Sequence, residues 1–286
     1  MAPEKKLTPA MQQVKMFKEQ YPDCVLFMRM GDFYETFFED AEICSRELDL
    51  VLTSRSKDPA GNPIPLSGIP YHAVDLYLPR MIRKGYKVAI CEQVEDPKQA
   101  KGVVKRDVVR VVTPGTAIDA DIIPGQAARY LMAVNPDRKK HVIGLAFLDI
   151  TTGEFFIKEI PGGEDFSSLA TEIERYSPLE ILVPQDTPAD IIPFLVSTGR
   201  VLTPVRSLFY EHAEETLCEQ FGVVSLEGFD TSSPLSLGAA AAALCYAKET
   251  QKVSLQHIRG FSKKYDTDAM ILDAVSLRNL EILTPL

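Results

Sequence analysis

The chain has 286 residues, 45% of them hydrophobic, and a net charge of −9, which is enough apolar material for about two domains with buried cores. No apolar run approaches the ~18 residues that span a bilayer, and no charged-then-apolar signal segment opens the sequence. Cys24, Cys44, Cys91, Cys218 and Cys245 are scattered without C-x-x-C spacing, so a disulfide framework and a zinc site are both excluded and a cytoplasmic chain that meets no membrane is expected.

Thr8-Pro9 is a helix-start pair, and Met11, Val14, Met16 and Phe17 follow near helical spacing, which predicts a helix over residues 7–20. Residues 25–30 and 33–37 read as two strands of a hairpin, with Gly31-Asp32 as the turn because Gly takes φ > 0 freely. Residues 39–50 read as a helix with Glu39, Asp40 and Glu42 at its positive amino end. Residues 55–67 are a polar loop rich in Pro and Gly. A helix over 71–84 closes at Gly85, with Pro79 predicting a kink or a later start. Strands are expected over 86–93 and 108–112. Strands and helices without strict alternation predict a mixed sheet.

Residues 113–126 carry Pro114, Gly115, Pro124 and Gly125 and read as an inter-domain connection. Beyond them come strand-like runs over 130–134, 142–150 and 154–160, the last two joined by Thr152-Gly153. Helices over 168–176, 190–197 and 211–221 then alternate with strands over 180–183 and 201–203. The Ala-rich run 235–251 is suited to close packing against a sheet. The class is therefore α/β (α+β), with two domains.

Charge divides unevenly along the chain. Residues 1–118 hold 17 Lys+Arg against 16 Asp+Glu, a balance of +1, and the rest hold 14 against 24, a balance of −10. Polyanionic DNA is met by the first part if by either, and repelled by the second.

Within the hairpin, alternation sends Phe33 and Glu35 to the same side. An aromatic ring beside a carboxylate is an unusual pair to expose. Spacing alone favours the plainer reading, with Phe33, Phe37 and Phe38 as core and Glu35 as a solvated neighbour. Four blocks then follow in order: Arg29-Met-Gly-Asp-Phe-Tyr-Glu35, Ser67-Gly-Ile-Pro-Tyr-His72, Val88-Ala-Ile-Cys-Glu-Gln93 and Val108-Val-Arg-Val-Val-Thr-Pro-Gly-Thr116. Together they resemble the amino-terminal part of the MutS family of DNA mismatch repair proteins, most strongly over residues 24–116.

That resemblance implies a mismatch-recognition domain over 1–118, a linker over 119–127 and a ribonuclease H-like connector domain over 128–252. It also implies a short helical stub over 253–286, where Asp273-Ala-Val-Ser-Leu-Arg-Asn-Leu-Glu281 is similar to the start of the family's helical core. Phe33 is implied as a wedge entering the minor groove and Glu35 as its hydrogen-bonding partner. The physical case is that an inserted ring unstacks one step, at less cost where pairing is already defective. A carboxylate among phosphates makes sense if it accepts from a base N–H that pairing normally occupies.

Arg55, Lys57, Lys101, Lys105 and Arg106 are candidate phosphate contacts, with Gly68 and the Tyr71 helix start offering N–H groups. Solvated surface charge is the plain alternative for each. His72 lacks a nucleophile or carboxylate at readable spacing and is expected to be structural. The family's partners are duplex DNA with mismatches or small loops, MutL through the connector, and a second copy in the full-length protein, at the nucleoid. Its ATP and Mg²⁺ belong to an ATPase domain. This sequence has no G-x-x-x-x-G-K-[ST] run, so no cofactor and no enzymatic activity are expected of it. A nuclease built around Asp149, near Glu154, Glu159 and Glu180, is the rival reading and lacks readable convergent ligands. A second rival is a protein-interaction module with little DNA affinity.

Overall fold

A computed structural model describes residues 7–95, 102–118, 128–137, 139–229 and 233–265. They form two compact units that divide between residues 124 and 125, with Thr250–Lys252 grouped with the first. In the first unit, helix α1 (Pro9–Gln20) begins as expected. The Thr8 hydroxyl accepts the Met11 N–H at 3.4 Å, and Pro9 fills the first helical position, where no N–H is needed. Strands β1 (Cys24–Met30) and β2 (Phe33–Phe37) make the hairpin, with Met28 opposite Glu35 and Met30 opposite Phe33. Gly31 sits at φ +60, the first-position glycine of a tight two-residue turn.

Helix α2 (Glu39–Leu48) stops at Asp49, whose left-handed φ of +58 ends it short of the predicted boundary. Strand β3 (Leu66–Pro70) emerges from a run read as loop. Its register places Pro70 opposite Phe33 and Gly68 opposite Glu35. Residues 71–73 form a 3-10 turn, and helix α3 (Val74–Arg83) starts after it, three residues later than predicted but with Pro79 still inside it. Strands β4 (Lys87–Gln93) and β5 (Arg106–Val112) complete a five-stranded mixed sheet ordered β3-β2-β1-β4-β5, in which only β1 and β4 run parallel.

Each face of this sheet buries its own core. Met11, Val14 and Phe17 of α1 cover Leu26, Met28, Phe37 and Cys91 on one side. Cys44 and Leu48 of α2, with Leu78, Met81 and Ile82 of α3, cover Val25, Phe27, Tyr34 and Ile69 on the other. Alternation along β1 and β2 therefore commits Tyr34 to the α2/α3 side and leaves Phe33 and Glu35 on the α1 side.

The second unit is built on strands β6 (Leu131–Asp137), β7 (Val142–Leu148) and β8 (Phe155–Pro161), an antiparallel meander. Helix α4 (Ser167–Tyr176) leads to β9 (Glu180–Pro184), which joins β6 in parallel. Helix α5 (Ile191–Ser197) leads to β10 (Val201–Val205), parallel to β9. The resulting order β10-β9-β6-β7-β8 is the ribonuclease H-like arrangement. Helices α6 (Ala213–Phe221) and α7 (Pro234–Gln251) follow, and Ala239, Ala240, Ala241, Ala242 and Ala243 of α7 are fully buried. The helical stub expected from residue 253 is not helical over 253–265. That run instead ends in a two-residue strand, β11 (Ser262–Lys263), pairing with β8. Residues 266–286, including the 273–281 block, lie outside the described residues. Among the described residues no helix is long and apolar enough to cross a membrane.

Candidate nucleic-acid interface

The hairpin tip carries an exposed aromatic ring on a braced support. Phe33 is 44% exposed, an unusual fraction for a ring on a sheet strand. Glu35, two residues on, is half-buried between Met28 of β1 and Gly68 of β3. A β-carbon built on Gly68 would lie 3.7 Å from Phe33 Cδ1 and 3.8 Å from Glu35 Cγ. Ring and carboxylate thus project from one face on either side of a glycine floor, as alternation predicted. Burial pushes the Glu35 carboxyl up, and the positive charges of Arg55 and Arg106 oppose that shift.

The opposite face braces the hairpin. The Arg29 guanidinium stacks on the Tyr71 ring, 3.8 Å from its centroid, and its Nε donates to the Gly31 carbonyl. The Tyr34 hydroxyl donates to Glu92 on β4, and burial together with that carboxylate pushes the phenol up to about 12. Arg29 and Tyr71 thereby tie the first block of the sequence to the second, and Tyr34 and Glu92 tie the first to the third. Sequence reading assigned no role to Arg29, Tyr34 or Glu92, although all three stand in the quoted blocks. The signal was their co-occurrence and not any spacing.

The predicted phosphate contacts divide. Arg55 donates from Nη1 to Glu35 Oε1 at 3.2 Å, so its guanidinium is partnered by that carboxylate. Lys57 is exposed on the same excursion, which is closed by bridges between Thr53 and Leu66 and between Lys57 and Pro63. Lys105 is exposed on the lead-in to β5. Arg106 is a correction: it is buried, its Nε donates to the Arg29 carbonyl at 2.7 Å, and its Nη1 donates to Gln13 and the Val104 carbonyl. Its guanidinium links β5 to the backbone of β1 and to α1. Tyr71 is a second correction. Its N–H donates to the Asp32 carbonyl at 2.9 Å, and the α-helix begins only at Val74, with Asp75 in its first turn to repel an anion. Gly68 acts as the floor between Phe33 and Glu35. Lys101 lies outside the described residues. His72 stands edge-on to the Tyr71 ring at 5.7 Å.

The carboxylates that the nuclease reading would use are engaged in hydrogen bonds. Asp149 is buried, and its carboxylate accepts the N–H groups of Thr151 at 2.9 Å, Thr152 at 3.3 Å and Arg129 at 3.3 Å, so it caps a turn. Glu154 accepts from Tyr130 and Lys264, and Glu180 from the hydroxyls of Thr203 and Tyr246. Each of these three carboxylates has hydrogen-bond partners of its own within the unit. Among the described residues no group of three His, Cys, Asp or Glu is placed to hold a metal ion.

Comparison with known sequences agrees with both units. MutS domain I matches residues 8–121 and MutS domain II matches residues 129–259. The chain is 47% identical, over 97% of its length, to the DNA mismatch repair protein MutS of Methanosarcina mazei, covering 32% of that protein. It is 44% identical over 97% of its length to the DNA mismatch repair protein MutS of Symbiobacterium thermophilum, again covering 32% of it. It therefore spans about a third of the length of these relatives, and neither matched domain is an ATPase. With a braced hairpin domain followed by a ribonuclease H-like domain, and with both domain matches in that order, the chain belongs to the MutS family.

Proposed function

We propose that this chain recognises mispaired and unpaired bases in duplex DNA as part of mismatch repair. The observation that carries the reading is the exposed Phe33 ring beside the sheltered Glu35 carboxylate on a doubly braced hairpin. A ring on a rigid support can enter the minor groove and unstack a step, and a defective pair yields at lower cost than a matched one. Glu35 then accepts a hydrogen bond from the base N–H that the mispair leaves free. At a matched pair it finds no donor and only phosphate repulsion, so it adds discrimination and subtracts affinity.

Arg55, Lys57 and Lys105 supply the salt-dependent backbone contacts in this reading, and the buried Arg106 supports the sheet beneath them. The acidic second unit is repelled by the duplex and meets a protein surface, MutL in the longer protein, where a second copy and an ATPase using ATP and Mg²⁺ complete the machine at the nucleoid.

The test is fluorescence anisotropy of the chain on a G·T duplex and on its matched control at low salt. Tighter binding of the G·T duplex is the expected result, and equal binding of the two contradicts the reading. Glu35→Gln is expected to bring the two affinities closer, chiefly by tightening the matched complex as a repulsive charge is removed. An unchanged matched affinity would remove Glu35 from the discriminating role.

A further inference from the structure

The contact between Glu35 and Arg55 is lopsided, and the asymmetry has a use. Glu35 is fixed: its side chain is 14% exposed, and its strand is hydrogen-bonded on both sides. Arg55 is open to solvent: its side chain is 74% exposed, on the 53–66 excursion between that excursion's two bridges. It reaches Glu35 through one nitrogen, so most of the five N–H groups of its fork are turned to solvent. An exposed ion pair held at one point contributes little and yields to a better anion. A phosphate is such an anion, because it can take the fork through two parallel bonds.

The other groups facing Glu35 cannot do the same. Arg106 contributes positive charge to the carboxylate, but it is buried and its Nε and Nη1 already donate to Arg29, Gln13 and Val104. Met28, Gly68 and Phe33, the remaining neighbours from β1, β3 and β2, carry no charge.

We propose that Arg55 is a transferable counter-ion, which covers the Glu35 carboxylate in the DNA-free chain and passes to a backbone phosphate when a duplex docks. The carboxylate is then uncovered only against DNA, where it meets either a free base donor or an unfavourable matched pair. The transfer rests on the mismatch-binding reading above, whereas the covering pair does not.

Two measurements test it, with Phe33→Ala alongside. In the DNA-free chain, carbon-detected NMR titration of the Glu35 carboxyl is expected to show a higher pKa in Arg55→Gln, because an opposing positive charge is lost. An unchanged titration means that the pair does not form in solution, and overturns the proposal. On matched duplex, a double-mutant cycle reads the transfer by its sign. If the pair must open on binding, Glu35→Gln tightens the complex more in the native background than in the Arg55→Gln background, by about two- to fivefold, the range of an exposed pair. Arg55→Gln alone also lowers the salt slope by about 0.9. An equal gain in both backgrounds makes Arg55 independent of Glu35. A smaller gain with Arg55 present means that it stays on the carboxylate in the complex. Either result overturns the transfer. If Phe33→Ala keeps full mismatch preference, the wedge reading fails while the titration still decides whether the covering pair exists.

Discussion

Phe33→Ala is expected to abolish the preference for mismatched over matched duplex and to leave weak, salt-sensitive binding to both. The ring is exposed and stands at the first position of its strand, so its removal leaves the fold intact and the effect is confined to recognition. Stacking of an aromatic side chain on a base is worth about 1–3 kcal/mol. Its loss should therefore reduce affinity for the mismatch by roughly five- to more than a hundredfold, at about tenfold per 1.4 kcal/mol. Affinity for matched DNA should hardly change, because there the wedge is not inserted. Anisotropy at one fixed salt concentration checks both halves of the expectation. A parallel loss on both duplexes would make Phe33 a general contact and not a probe.

The largest effect on stability is expected from Gly144→Ala in the second unit. A β-carbon there would lie 2.3 Å from the Leu235 carbonyl carbon, 2.4 Å from the Ser236 nitrogen and 2.6 Å from the Leu235 oxygen. All three are backbone atoms at the start of α7, so no side chain can swing aside. The helix is also held there by Asn135, whose Nδ2 donates to the Leu235 carbonyl at 3.0 Å. Either α7 lifts off the sheet, exposing its fully buried alanines, or β7 distorts. Overpacking of this kind costs about 3 kcal/mol or more when backbone must move. For a unit of this size that lowers the melting temperature by roughly 6–12 °C. Differential scanning calorimetry checks it, and a shift below about 2 °C would mean that the helix accommodates the methyl group easily.

These two residues also show what the sequence could and could not reveal. The Phe33–Glu35 geometry was legible because strand alternation is local, and a Gly-Asp turn fixes the register of its own hairpin. The close approach of α7 was half legible: a run of alanines announced tight packing, but nothing in residues 142–148 said which sheet position would receive it. Gly144 could be identified only from the tertiary pairing. Strand β3 was missed for a related reason. Leu66–Pro70 contains Gly68 and ends in Pro70, both strand-breaking signals, and it is a strand because it lies on the sheet edge, where those residues are tolerated. Long-range side-chain partners were not legible. Arg106 looked like a surface cation in a basic loop, yet its three acceptors come from residues 13, 29 and 104. The pairing of Arg55 with Glu35, twenty positions apart, depends on the fold of the 53–66 excursion, which Pro and Gly content could mark only as a loop.

The central claim is that the Phe33 ring enters the stack at a defective pair. Fluorescence of 2-aminopurine placed beside a G·T mismatch tests it most directly, because this base brightens when it is unstacked. Addition of the chain is expected to raise the emission on the mismatched duplex, to leave it unchanged on the matched one, and to have no effect when Phe33→Ala is used. Binding detected by anisotropy with no rise in emission at the mismatch would contradict insertion, and the exposed ring would then have to be explained by a contact outside the base stack.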